Sequence, residues 1–277
     1  MAEQERWRLS RAYQIPIESP RFDLRRHFGR AVLRVATHMG RFSYLLGEIV
    51  RGLPEWRIWL PRTVEQCVHV GAGSLFIVLL TAAFAGGVTS LQAGYQFTSG
   101  VPVYFAAGVI TQSLILELGP VLTALILAGR IGARFAAELG TMQVTEQIDA
   151  LESLGRSPIS HLVIPRVLAG TLMLPILVIY ADFIGIISGW GAARHTLDIT
   201  NYDFIYGARY FFKPFDLWYS MIKSVFFGLA VTVVPCYMGF STQKGAEGVG
   251  RATTGAVVIA SVMILALDAL LSQVLLV

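Results

Sequence analysis

The chain has 277 residues, 55% of them hydrophobic and 14% charged, with a mean hydropathy of +0.61, where soluble domains run at roughly 45–50% apolar and about 25% charged. That composition excludes an ordinary soluble domain and points to an all-α integral membrane protein that crosses the bilayer several times. The formal net charge of +4 would suit a nucleic-acid binder, but the positive charges are distributed as in a membrane protein, as shown below.

Residues 1–23 read as a basic cytoplasmic tail. They lack the apolar core and small-residue cleavage site of a secretory signal, so no processing is expected. In residues 24–50, LRRHFGRAVLRVATHMGRFSYLLGEIV, apolar Leu24, Phe28, Val32, Val35, Met39, Phe42, Leu46 and Ile49 recur every three or four positions with Arg residues among them. This predicts an amphipathic basic helix, lying in an anionic headgroup layer or packed on a partner protein. A Trp-rich turn, PEWRIWLP, bracketed by Pro54 and Pro61, closes an interfacial region at 24–60; Trp56 and Trp59 suit headgroup level.

The rest, 61–277, reads as a single membrane domain. Hydrophobic runs predict five transmembrane helices at about 64–91, 101–129, 162–190, 217–240 and 252–276, each long enough for a hydrocarbon core of about 30 Å. Of the 22 Lys and Arg, 12 lie in 1–63, four in 130–166 and two in 244–251. With the N-terminus cytoplasmic, all three groups fall inside, which is the positive-inside pattern. Residues 92–100, 191–216 and the C-terminus then lie on the far side. Cys67 and Cys236 fall in or beside spans and read as packing residues, with neither a disulfide framework nor a C-x-x-C site available.

The second span carries small residues at four-residue spacing, Ala124, Ala128, Gly132, Ala136 and Gly140, and the third repeats the device with Ala181, Gly185, Gly189 and Ala193. In lipid such stripes let helix backbones approach closely. Pro120 cannot donate to the Leu116 carbonyl, which predicts a kink beside Glu117. A carboxylate there serves either a substrate cavity or gate, or an internal structural pair. Lys223 lies 17 residues above the inner end of the fourth span and Asp268 17 residues beyond Arg251, so both sit roughly 25 Å up. Equal height predicts an intramembrane charge pair; the alternative is separate snorkelling to the outer interface.

No G-x-x-x-x-G-K-[ST], H-E-x-x-H or G-x-S-x-G occurs, and His27, His38, His69, His161 and His195 lack ligand spacing. No nucleotide site, metal site or cofactor of its own is therefore expected, and no enzymatic centre. Between the second and third spans, ELGTMQVTEQIDALESLG at 138–155 carries Glu138, Glu146, Asp149 and Glu152 without a basic residue. A helix at about 142–154 would put Val144, Ile148, Leu151 and Gly155 on one side and Glu146, Asp149 and Ser153 roughly opposite. Anionic lipid would repel it. It seats either in a protein partner with an apolar groove and basic rim or back on its own bundle.

The run ELGPVLTALILAGRIGARFAAELGTMQVTEQIDALESLG at 117–155 resembles the MlaE family of ABC-transporter permeases, membrane subunits of lipid transport systems that work with MCE-domain proteins. PRVLAG with Leu174-Pro175, IKSVFF at 222–227, GVGRATTGAVV and LALDALL extend the similarity in the same order, from about Phe28 to the C-terminus, and Gln92 falls where the family has a Gln. The resemblance implies a homodimer in the bacterial inner membrane, N-terminus cytoplasmic and C-terminus periplasmic, each copy bound by a separate cytoplasmic ATPase that holds ATP and Mg. It implies that 142–154 is the coupling helix, with Thr145, Glu146, Gln147, Asp149 and Leu151 as contacts. It also implies a phospholipid cavity at the dimer interface, continuous with a periplasmic MCE-protein ring, for which Gln92, Tyr95, Glu117 and Leu118 are the candidates. Some family members carry a basic residue where this chain has Leu116, so Glu117 lacks that neighbour. Alternatives from other classes are an ion-coupled secondary transporter using Glu117, Asp182, Lys223 and Asp268 as a relay, and a non-transporting anchor for an MCE protein.

Overall fold

A computed structural model of the chain describes residues 24–96, 102–243 and 245–276; the expected basic tail lies outside the described residues. The elements are α1 (Leu24–Gly52), α2 (Trp56–Gln96), α3 (Tyr104–Ser113), α4 (Gly119–Leu127), α5 (Ala133–Val144), α6 (Gln147–Ser153), α7 (Ile164–Thr196), α8 (Asn201–Phe211), α9 (Pro214–Phe240) and α10 (Gly245–Leu276). Single π-helical turns at Leu114–Leu118 and Ala128–Gly132 join α3, α4 and α5 into one rod, and another at Ile159–Val163 leads into α7. Up to Gly47, α1 is a unit by itself; from Glu48 onward the chain forms one compact unit, to which everything below refers.

Five helices are long and apolar enough to cross a membrane: Trp56–Gln96, Tyr104–Val144, Ile159–Thr196, Pro214–Phe240 and Gly245–Leu276. They overrun the hydropathy bounds because a helix continues past the charge that ends an apolar window. At 41 residues, α2 is roughly 61 Å long, about twice the hydrocarbon core. Pro61 lies inside α2 rather than closing a turn. Near a helix start it removes one bond, to the Arg57 carbonyl, which a helix of this length tolerates. The 191–216 segment also holds a helix that the hydropathy did not predict, α8, capped by Thr200 Oγ1 accepting from the Asp203 N–H at 3.1 Å. Its exposed Tyr202, Tyr206 and Tyr210 stack with ring centroids 6.2 and 5.9 Å apart.

Both small-residue stripes are buried. Ala181, Gly185, Gly189 and Ala193 turn α7 onto α2, where a methyl at Gly86 would overlap the Gly185 carbonyl and Ser188 donates to the Ala83 carbonyl at 2.7 Å. The second-span stripe, Ala124 to Gly140, is buried along the rod, whose lower part packs on α9 and α10. In a straight α-helix each four-residue step drifts by about 40°. The π-helical turn at Ala128–Gly132 winds less tightly and takes back part of that drift, which keeps the stripe on one face.

Candidate functional site

Two prolines shape the polar features of the bundle in the same way. Pro120 has no N–H for the Leu116 carbonyl, and the preceding π-helical turn closes instead through the Gly119 N–H to the Leu114 carbonyl. The freed Leu116 carbonyl accepts from Lys223 Nζ at 3.2 Å. Pro165 likewise leaves the His161 carbonyl free beside the turn at Ile159–Val163, and Arg62 Nη1 donates to it at 3.5 Å. In each case a cation from another helix supplies a donor where the proline lacks one, so the carbonyl keeps a partner.

Around Lys223 this capping grows into a network. Its side chain is fully buried, and Nζ pairs with Asp268 Oδ1 on α10 and lies 2.8 Å from Glu117 Oε2 in the π-helical turn. Nζ also donates to Tyr219 Oη at 3.0 Å, and Tyr219 donates to Glu117 Oε1 at 3.2 Å and shares a 2.7 Å hydrogen bond with Ser272 Oγ. The structure thus brings together Lys223 and Asp268 and adds Glu117, whose missing basic neighbour at position 116 is supplied from α9, 106 residues on in sequence. Two carboxylates about one ammonium offset the cost of burying the charge. Glu117 keeps 44% of its side chain exposed, against 22% for Asp268, so it is the member that faces outward.

Asp182 stands apart from this trio. It is buried on α7 with Oδ1 lacking a hydrogen-bond partner, against Gly119, where a Cβ would collide with that oxygen. No hydrogen bond or ion pair among the described residues links it to Lys223, so the four-residue relay is not continuous here. Leu118 lines a narrow cleft with Val78, Thr81, Leu122 and Ile126, of about 10 Å³, which holds a water at most. Gln92 and Tyr95 are exposed near the end of α2, Tyr95 at 88%. Neither joins the Glu117 network.

At the other end of the bundle the acidic segment differs from the continuous helix expected over 142–154. Residues up to Val144 belong to α5; the chain then turns at Thr145 and Glu146, and α6 covers only Gln147–Ser153. Thr145 Oγ1 donates to the Thr141 carbonyl at 2.8 Å and accepts from Gln147 Nε2 at 3.0 Å, while Glu146 takes a left-handed φ of 59°. The Thr-Glu-Gln triplet is therefore the hinge between two helices, and a turn that reverses the chain needs that break in helical φ/ψ. Ile148 is 3% exposed, with Val144 and Leu151 half-buried. The apolar stripe is thus turned inward, leaving Thr145, Glu146, Gln147 and Asp149 exposed at the edge. Glu138 belongs to a different contact: it bridges Arg134 at 2.6 Å and the buried Arg166 at 3.0 Å.

The family model described as permease MlaE matches residues 63–274. A probable ABC transporter permease protein of Rickettsia felis is 37% identical over 88% of this chain and 95% of its own length. The intermembrane phospholipid transport system permease protein MlaE of Haemophilus influenzae is 34% identical over 89% of this chain and 95% of its own. The chloroplastic protein trigalactosyldiacylglycerol 1 of Arabidopsis thaliana is 37% identical over 83% of this chain and 65% of its own.

Proposed function

The chain belongs to the MlaE permease family, and on that premise we propose that it is the membrane-spanning subunit of an ATP-driven transporter of phospholipid or a similar amphipathic lipid. It is a permease and not itself an ATPase. ATP and Mg are held by a separate cytoplasmic subunit docked at the α6 end, which places the N-terminus in the cytoplasm and the C-terminus in the periplasm of a bacterial inner membrane. Two copies pair to enclose the lipid between them, with Gln92, Tyr95, Glu117 and Leu118 lining or gating that space. A periplasmic MCE-domain protein exchanges lipid with it, which serves outer-membrane lipid homeostasis. α1 lies along the cytoplasmic headgroups.

The observation that carries this reading is the α6 hinge. A short acidic helix has its apolar stripe tied to its own bundle and presents Thr145, Glu146, Gln147 and Asp149 outward. That edge suits a basic rim on a partner and joins the α3–α5 rod through the Thr145–Glu146 turn, so a push on it is passed to the rod that carries Glu117. A second reading, ion-coupled transport, draws on the half-exposed Glu117 beside a buried ammonium.

The test is a Glu146→Lys variant, read by co-purification of the ATPase and by ATP-driven lipid transfer in proteoliposomes. Both are expected to fall together. Undiminished transfer would refute the coupling assignment, and lipid transfer driven by a proton gradient in liposomes without ATPase would replace it with the ion-coupled reading.

A further inference from the structure

We propose that the cavity between the start of α2 and the segment leaving α6 binds the phosphate headgroup of an anionic phospholipid from the leaflet at the α6 end. The cavity, of about 530 Å³, is lined by Arg62, Arg156, Ser157, His161 and Glu55, with Ile58 and Pro61 on its apolar side. Arg62 is held in place through its bond to the His161 carbonyl, so a cation already stands there. His161 is itself fixed, its Nδ1 donating to the Ser157 carbonyl at 3.1 Å in the neutral imidazole. Ser157 Oγ accepts from the Ser160 N–H at 3.4 Å, which leaves its hydroxyl proton to donate elsewhere.

The two arginines against one glutamate leave the lining with a net charge of +1 while the imidazole is neutral. A phosphodiester carries the complementary charge, and a guanidinium fork matches its oxygens. The surroundings select a lipid over a free anion. Trp56 is 54% exposed, with Leu53, Ile58 and Leu60 also exposed at 39%, 37% and 44%, and exposed Trp among apolar residues marks the headgroup level of a bilayer. Basic pockets between helices at that level suit anionic headgroups.

The position gives the site a consequence. Gly155, at φ +70°, ends α6 in a left-handed C-terminal cap: the Gly155 N–H donates to Glu152 at 2.9 Å and the Arg156 N–H to Leu151 at 3.1 Å. Arg156 and Ser157 are therefore the rigid exit of α6, and Arg62 belongs to α2. A headgroup held by both ties α6 to the bundle through lipid. The proposal rests on the orientation given above only in assigning the leaflet to the cytoplasmic side.

The test needs no ATPase, so its failure and that of the coupling assignment are distinct. The full chain, purified and delipidated, is offered phosphatidylglycerol or phosphatidylcholine in mixed micelles, and retained lipid is counted by native mass spectrometry. Preferential retention of phosphatidylglycerol is expected, reduced about tenfold or more by Arg156→Glu, while Arg194→Glu at the opposite end leaves it unchanged. Arg156 is exposed, and among the described residues its side chain makes no hydrogen bond or ion pair while its N–H holds the Leu151 carbonyl, so its variant tests the site even if Arg62→Ala fails to fold. Equal retention of both lipids, or retention unaffected by Arg156→Glu, would overturn the proposal. So would full displacement of phosphatidylglycerol by millimolar inorganic phosphate, which would make the ligand a soluble anion.

Discussion

Replacing Lys223 by Met removes the single cation of the intramembrane network while preserving most of the side-chain volume. Its ammonium is fully buried and serves Asp268, Glu117, Tyr219 and the Leu116 carbonyl. Taking one partner from a buried pair costs about 3–5 kcal/mol, because the other charge stays behind. Here the carboxylates left behind are 44% and 22% exposed and keep part of their solvation, so the lower end applies: about 3 kcal/mol, or roughly a hundredfold in the folded-to-unfolded ratio. If the penalty comes from the stranded carboxylates, it should disappear when they are removed too. The triple variant Lys223→Met, Glu117→Gln, Asp268→Leu is expected within about 1 kcal/mol of the parent, since apolar replacement of a whole buried pair is often neutral. Reversible unfolding in mixed micelles with increasing dodecyl sulfate gives both numbers. A single variant as stable as the parent, or a triple variant no better than the single, would refute the electrostatic reasoning.

Two further outcomes follow from the packing and the hinge. Gly86→Ala forces a methyl into the Gly185 carbonyl and is expected to lower stability by about 1–3 kcal/mol. Gly87→Ala, whose new atom would lie 3.7 Å from Ser188 Oγ, should be neutral or stabilising by up to about 1 kcal/mol; thermal unfolding of the two in the same detergent compares them directly. At Glu146, the left-handed φ costs a side-chain-bearing residue roughly 1–2 kcal/mol. Glu146→Gly therefore raises stability by about 0.5–1 kcal/mol after glycine's extra chain entropy, and Glu146→Val lowers it; equal unfolding midpoints for the two would show that the hinge is unstrained.

Much of this protein was legible from local pattern. Five spans follow from runs of apolar residues, because the free energy of entering lipid is a property of each segment alone. The stripes at Ala124–Gly140 and Ala181–Ala193 were legible as packing faces, since small residues in lipid have few other uses. Lys223 and Asp268 could be placed at one height by counting, since helix rise converts sequence distance into depth. The missed α8 had left a signal, Thr200 three residues ahead of Asp203 followed by tyrosines every fourth residue, which a hydropathy window does not see.

Other features belong to the tertiary structure. Which partner each stripe meets, α2 for one and α9 with α10 for the other, depends on contacts that no single segment contains. The break at Thr145–Glu146 was hidden because a helical wheel assumes one unbroken helix, whereas the chain has to leave α5, which packs on α9 and α10, and return through α7, which packs on α2 and α9. That turn decides which face of the acidic segment is free: Ile148 goes inward, and the polar edge is left to a partner. Glu117 joined Lys223 because a proline-driven π-helical turn freed a carbonyl that the lysine then capped, and Arg62 reached His161 for the same reason. Segment composition thus determined what enters the membrane and at what depth. Where charges and small faces meet was decided by the satisfaction of backbone groups between helices up to 107 residues apart, which only the assembled bundle defines.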